Sequence, residues 1–252
     1  MLSIRQRILK REFLAGTWNT LGSPVATEIS AEIGFDWVLL DQEHAPGDSM
    51  TLLDQLMAFK GTKSAPIVRI AWNDRVLFKR ALDLGAAGIM VPTVETAEQA
   101  RQAIDLMRYP PLGSRGVSGA CRAAGYTMHF KDYAAHSAEE LTTIVQIENQ
   151  KGLDNLEAMA AVDGVDVLFV GPVDLSFSLG KRDQFKDPSF VAILEHVGKV
   201  GMAHGKSVGI LVPDMTHVPM LKEFGYNFVA VGSEQAAVVK TLTATLGALK
   251  VV

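Results

Sequence analysis

Hydrophobic residues in this chain come in short bursts rich in β-branched side chains, separated by longer stretches of helical periodicity. The bursts are Leu14–Trp18, Asp36–Asp41, Pro66–Ile70, Gly88–Pro92, Thr142–Glu148, Asp166–Gly171, Ser207–Val212 and Asn227–Gly232. Each is closed by a turn signal and reads as a buried strand. The stretches between them carry helix punctuation. Ser23-Pro24 predicts an N-cap followed by Pro at the first helical position, and Gly34 ends that helix. Asp48, Asn73, Glu95, Asp214 and Ser233 stand near further helix starts, and Gly85 and Gly225 near ends.

Alternating strands and helices imply a parallel sheet with right-handed crossovers. Eight such units close into a (β/α)8 TIM barrel of about 250 residues, and this chain has 252. The competing fold is an open doubly wound sheet. It normally carries a Gly-rich fingerprint after its first strand, and Trp18-Asn19-Thr20-Leu21-Gly22 is not one. No linker-like tract or repeat interrupts the pattern, so residues 1–252 are expected to form a single barrel domain.

One connection breaks the rhythm. After a helix ending near Met107, residues 108–141 run through Arg108-Tyr109-Pro110-Pro111-Leu112-Gly113-Ser114-Arg115-Gly116 before the next strand begins. Excursions of that length in compact domains are usually functional or disordered. This one re-enters the sheet at the bottom yet is long enough to reach over the top, and is expected to be a lid or a subunit contact.

Composition narrows the function. A hydrophobic content of 48% supports a substantial core, and a formal charge of −4 without a basic block argues against nucleic acid. The lone Cys121 excludes an internal disulfide framework and fits a reducing cytosol. No apolar run approaches the ~20 residues needed to cross a bilayer, and Met1-Leu2-Ser3-Ile4-Arg5-Gln6-Arg7 lacks a secretory apolar core. A cytoplasmic protein with neither membrane nor nucleic-acid partner is expected.

In a parallel barrel the C-terminal strand ends share one face. Four polar residues stand there: His44 beyond the second strand, Arg69 at the tip of the third, Glu148 closing the fifth and Asp174 just after the sixth. Two carboxylates from neighbouring strands are too few to enclose Ca²⁺. They suit Mg²⁺ or Mn²⁺, which keep waters and take further oxygens from substrate. Gln146 points inward two residues before Glu148. The plainer alternative makes Asp174 a helix N-cap. Arg69 must be paired, because a buried lone guanidinium is prohibitive. Its partner is Glu43 or Asp83 on the structural reading, while the functional reading makes it an electrophile beside the metal. His44 is of the type most used for general acid–base work, with Asp41, Glu43 or Asp83 as the carboxylate that orients it. His129, His136, His196, His204 and His217 are assigned to helices, the excursion or bottom loops.

The lysines exclude imine chemistry, which needs a desolvated Lys on a barrel strand. Lys206 precedes a strand, and Lys60, Lys63 and Lys79 belong to helices or loops. The stretch Gly171-Pro172-Val173-Asp174-Leu175-Ser176 opens a helix whose N–H groups suit a carboxylate. Gly232-Ser233 after the eighth strand is discounted as a phosphate site.

Together these segments resemble the metal-dependent pyruvate aldolases of the HpcH/HpaI family. Its landmarks are Gly34-Phe35-Asp36-Trp37, Asp41-Gln42-Glu43-His44-Ala45-Pro46, Val68-Arg69, Leu82-Asp83-Leu84-Gly85-Ala86, Val145-Gln146-Ile147-Glu148 and Phe169-Val170-Gly171-Pro172-Val173-Asp174-Leu175-Ser176. Gln55-Leu56-Met57-Ala58-Phe59-Lys60-Gly61 and Phe228-Val229-Ala230-Val231-Gly232-Ser233 resemble the dehydrodeoxyglucarate branch. The resemblance implies His44 as acid/base, Arg69 on the keto oxygen, and Glu148 and Asp174 on Mg²⁺ or Mn²⁺, with Co²⁺ as a further option. Gln146, the backbone at Val173 and Asp174 would contact pyruvate, with Leu211 and Trp18 lining the pocket. It also implies a homohexamer, a dimer of trimers, with the last helix exchanged between subunits. Two positions depart from the pattern: 173 is Val where Ser is frequent, and 42 is Gln where Gly is frequent. The rival expectations are a citrate-lyase-type acyl-CoA lyase and a non-catalytic binding barrel.

Overall fold

A computed structural model describes residues 2–182 and 184–250. Eight parallel strands close in sequence order: β1 (Leu14–Asn19), β2 (Trp37–Asp41), β3 (Ala65–Arg69), β4 (Gly88–Val91), β5 (Thr142–Ile147), β6 (Val167–Val170), β7 (Ser207–Val212) and β8 (Phe228–Ser233). Every expected strand is present, with ends shifted by a residue or two. The helices are α1 (Ile4–Leu9), α2 (Pro24–Ile33), α3 (Ser49–Met57), α4 (Arg75–Leu84), α5 (Ala97–Met107), α6 (Phe130–Glu140), α7 (Gln150–Asp154), α8 (Leu156–Ala160), α9 (Pro172–Ser178), α10 (Pro188–Ala203), α11 (Val218–Glu223) and α12 (Glu234–Leu249). No described helix is long and apolar enough to cross a membrane.

Strand parity divides the core in two. Because successive side chains point to opposite faces, Leu14, Trp18, Trp37, Leu39, Ile67, Met90, Ile144, Val167, Phe169 and Phe228 form one buried cluster. They fill the barrel. Val38, Leu40, Val68, Ile89, Val145, Leu168 and Ile210 belong to the other, larger cluster, against the helices. Trp37 stacks on Phe228 with ring centroids 4.0 Å apart. Gly16 makes room for it: an added Cβ would stand 2.1 Å from the indole. At the N-terminal end, Ile4 and Ile8 of α1 join the barrel cluster. Ser3 caps α1 through a reciprocal box with Gln6.

The cap residues are mostly those expected. Ser23, Asp48 and Ser233 cap α2, α3 and α12, Asp214 caps the 3₁₀ turn Met215–His217, and Gly34 and Gly85 end helices in the left-handed region. Asp74 and Thr96 replace Asn73 and Glu95 as N-caps, each one residue later.

The 108–141 excursion contains a 3₁₀ turn (Arg122–Ala124) and α6. It runs beside α4 and under the barrel. The Arg122 guanidinium donates to the Leu84 and Leu56 carbonyls, and Arg5 of α1 donates to the Glu139 carbonyl at 3.2 Å. The segment therefore forms no lid over its own chain's C-terminal rim. Helix α12 has no buried residue, and Val238, Val239, Leu242, Leu246 and Leu249 stand exposed along it.

Candidate active site

The inward parity that builds the barrel cluster continues to the C-terminal rim with polar residues. Asp41 lies four residues after Trp37, Arg69 two after Ile67, Gln146 and Glu148 two and four after Ile144, and Gly171 two after Phe169. The same alternation that buries aromatic rings lower down thus aims these groups at one space. Asp41 and Arg69 are also register partners on adjacent strands. Above them opens a pocket of about 590 Å³, lined by Trp18, His44, Arg69, Gln146, Val173, Asp174 and Leu211 among others.

Arg69 is 7% exposed. Its Nε and Nη2 donate to the two Asp41 oxygens at 3.0 and 2.6 Å, and Nη1 lies 3.0 Å from Glu43 Oε2. A guanidinium has five N–H donors, so after these three contacts two remain for the pocket. The guanidinium also sits 5.4 Å from the centre of the Trp18 ring.

Asp41 shapes the next turn, its Oδ1 accepting from the Glu43 and His44 backbone N–H groups at 3.0 and 3.4 Å. That places the His44 ring at the pocket wall, 3.7 Å from Glu43 Oε2, with 66% of its side chain exposed. Glu43 is thus the carboxylate nearest the imidazole. Burial raises the Glu43 carboxyl above its ordinary range; Arg69 opposes that rise, and Glu148 adds to it.

Asp83 is placed elsewhere. It pairs with Arg115 of the excursion at 2.8 Å, and Arg115 packs over the rings of Tyr109 and Tyr133. It partners neither Arg69 nor this chain's His44. His217, read as a surface or packing residue, ends the 3₁₀ turn that follows β7 and stacks on Phe185 with ring centroids 4.0 Å apart.

Glu148 is held from one side only. Its Oε1 accepts from the Thr93 N–H at 2.6 Å and the Thr93 hydroxyl at 3.0 Å. Its Oε2 lies beside Gly171, where an added Cβ would stand 2.8 Å from it. Burial raises the Glu148 carboxyl; the Thr93 bonds pull it down, and nearby Asp174 pushes it up again. Asp174 is exposed in the first turn of α9, whose N-cap is Gly171, so the N-cap alternative for Asp174 is not realised. The start of α9 carries no side-chain cap.

These groups fit a divalent cation. Asp41 and Glu43 pair with Arg69, and Glu148 feels both Arg69 and Asp174, so four carboxylates stand near one guanidinium and negative charge is in surplus. Gln146, 2% exposed and lining the pocket, has a buried Oε1 with no hydrogen-bond partner. Among the described residues no three His, Cys, Asp or Glu side chains form a ready-made cage. The donor set is therefore two carboxylates plus neutral oxygens, of the kind Mg²⁺ and Mn²⁺ accept.

Several lining residues were not singled out from sequence. Thr20, Phe169, Pro213 and Ala236 extend the wall, and Thr93 stands behind Glu148. The Gly232-Ser233 pair lines the pocket too, but Ser233 Oγ is committed to capping α12.

Residues 14–241 match the HpcH/HpaI aldolase/citrate lyase family. The chain belongs to that family. A 5-keto-4-deoxy-D-glucarate aldolase from Salmonella paratyphi C is 47% identical over 222 residues, 88% of this chain and 86% of its own length. The crystal structure of an HpcH/HpaI aldolase/citrate lyase family protein from Burkholderia cenocepacia is 37% identical, covers 98% of both chains and superposes with a TM-score of 0.93. The citrate synthase SbnG is 28% identical, covering 99% of this chain and 98% of its own, with a TM-score of 0.88. The expected aldolase barrel and carbon–carbon lyase class are borne out. Divalent-metal dependence is general to the family's aldolases. The aldolase relatives speak against the rival expectation of a non-catalytic binding barrel.

Proposed function

We propose that this HpcH/HpaI aldolase reversibly cleaves a 4-hydroxy-2-oxo acid of the deoxy-sugar-acid type to pyruvate and an aldehyde. The observation that supports it is the acidic surplus at the rim, where Asp41 and Glu43 pair with Arg69, Glu148 feels both Arg69 and Asp174, and the buried Gln146 oxygen lacks a partner. Glu148 and Asp174 would hold Mg²⁺ or Mn²⁺. When bound, such an ion supplies Lewis acidity to the carbonyl end of the oxo acid.

The chain's own groups account for the rest. His44 takes the C4 hydroxyl proton through a water, and the C3–C4 bond breaks. Its electron pair moves toward the C2 oxygen, where the free donors of Arg69 add positive charge. The aldehyde leaves, and C3 recovers a proton to give pyruvate. Glu43 holds the imidazole from behind. Gln146 and the uncapped start of α9 at Val173 and Asp174 receive the oxo acid, while Trp18 and Leu211 close the wall.

The rival acyl-CoA lyase needs a cationic surface for a nucleotide. Among the described residues Arg69 is the one Lys or Arg lining the pocket, and Asp41 and Glu43 engage it. That supports the small oxo acid. The 47%-identical relative is named for 5-keto-4-deoxy-D-glucarate, which makes that acid the first substrate to try. The proposal includes a cytoplasmic enzyme assembled as a hexamer of two trimers with α12 exchanged, supported by the apolar residues exposed along that helix.

The test is pyruvate release from a panel of 4-hydroxy-2-oxo acids, with chelator and with restored Mg²⁺ or Mn²⁺. Release from a sugar-derived acid that stops on chelation and returns with metal is expected. Release indifferent to chelator, or from none of the panel, would overturn the proposal.

A further inference from the structure

Thr93 follows β4 through Pro92 with a backbone φ of 52°, in the left-handed region. For a β-branched residue that is an outlier, maintained only where the surroundings over-determine it. Here the determinant is Glu148. The strained turn presents two donors, the Thr93 N–H at 2.6 Å and its hydroxyl at 3.0 Å, to the same oxygen, Oε1. A carboxylate oxygen that accepts two hydrogen bonds is fixed in place. The other oxygen, Oε2, lies on the Gly171 side, 2.8 Å from where a Cβ would be. Gln146 Nε2 stands 3.4 Å from that same point. One oxygen of Glu148 is therefore held by Thr93, while the other, on the side of the pocket-lining Gly171 and Gln146, accepts no hydrogen bond among the described residues.

We propose that Thr93 is a positioning residue that clamps Glu148 Oε1 and thereby dedicates Oε2 to a divalent cation. The proposal rests on the metal reading given above. It deepens that reading by assigning the clamp to a residue that touches neither ion nor substrate. Groups that orient a metal ligand from behind typically contribute about 10–100-fold to metal affinity. The hydroxyl is separable from the backbone donor, because Thr93→Val keeps shape and N–H while deleting the O–H. Thr93→Ser restores it. Thr93→Gly deletes the hydroxyl and relieves the left-handed strain, so it should raise the melting temperature even as it loosens the clamp.

The experiment is Mn²⁺ titration of full-length protein without substrate, following free Mn²⁺ by electron paramagnetic resonance, with melting temperatures measured alongside. Wild type, Thr93→Val, Thr93→Ser, Thr93→Gly and Glu148→Gln are compared. The expected result is Mn²⁺ affinity about 10-fold or more weaker in Thr93→Val and in Thr93→Gly, near wild type in Thr93→Ser, and lost in Glu148→Gln. A Thr93→Val protein that binds Mn²⁺ like wild type, while Glu148→Gln does not, overturns the clamp and leaves the metal site standing. Wild-type affinity in Glu148→Gln overturns both. A melting temperature that falls in step with affinity across all the Thr93 variants would assign the residue to folding alone and also overturn the clamp.

Discussion

At the N-terminal end of the barrel Asp166 receives Arg5 Nε at 3.1 and 3.0 Å and the Thr143 N–H at 2.9 Å. Asn227 there accepts from the Val208 N–H at 3.0 Å and donates to Ser207 Oγ at 2.8 Å. Asp36 pairs with Arg7 at 2.8 Å and accepts from the Ala15 N–H at 2.9 Å. At the C-terminal end the same strands finish in Asp41, Arg69, Gln146 and Glu148, where acids outnumber the base and a buried amide oxygen has no partner. Burial costs a polar group dearly unless it is bonded. At the lower rim the carboxylates are paired within the chain, and the groups left without partners there are the uncharged Ser64 and Thr142 hydroxyls. At the upper rim the carboxylates outnumber the one guanidinium, a surplus that the proposed metal would balance. Both ends share strands, twist and core, and the contrast lies wholly in how charge is balanced.

The largest effect should come from the upper rim. His44→Ala is expected to lose about 10²–10⁴-fold in turnover while keeping its melting temperature and its Mn²⁺ binding. Steady-state pyruvate release and a thermal melt check this, and a near-wild-type rate would remove His44 from the chemistry. Next comes the lower rim, where Asp166→Ala strands Arg5 and the Thr143 N–H. Denaturant titration should show a loss of roughly 3 kcal/mol, with the rate per folded molecule unchanged. A rate that collapsed without loss of stability would erase the contrast between the rims.

A subtler expectation concerns pH. Burial lifts the Glu148 carboxyl above its ordinary value of 4.5. The folded, metal-free chain therefore holds that proton more tightly than the unfolded chain does. Its contribution to stability falls as pH rises from the ordinary value through the raised one. Glu148→Gln should melt higher than wild type at neutral pH, and the advantage should shrink toward pH 4.5. Melting curves across that interval test the sign; a Gln variant less stable at neutral pH would contradict it. Smallest of all, Ser3→Ala at the α1 cap should cost about 1 kcal/mol and leave catalysis untouched.

Much of this was legible in the sequence because it depends on period two. Once Trp37, Ile67 and Ile144 are read as inward, the inward aim of Asp41, Arg69, Gln146 and Glu148 follows by counting. Their arrival at one end follows from parallel strands. What counting does not give is contact between elements without a fixed register. Asp83 lies on a helix, and its partner Arg115 lies in a long irregular segment, so no periodicity linked the two. Thr93 was equally invisible, since a positive φ at a β-branched residue runs against local propensity. His217 could be read as a packing residue, but not its partner Phe185, which comes from a separate segment with no fixed register to it.

Diffraction from crystals soaked with Mn²⁺ and pyruvate, recorded to reveal anomalous scattering from manganese, asks most directly whether the upper rim is completed by a metal. One manganese peak between the side chains of Glu148 and Asp174, with pyruvate against Gln146 and Arg69, is the predicted outcome. Pyruvate bound in this pocket with no manganese beside those two carboxylates would contradict it.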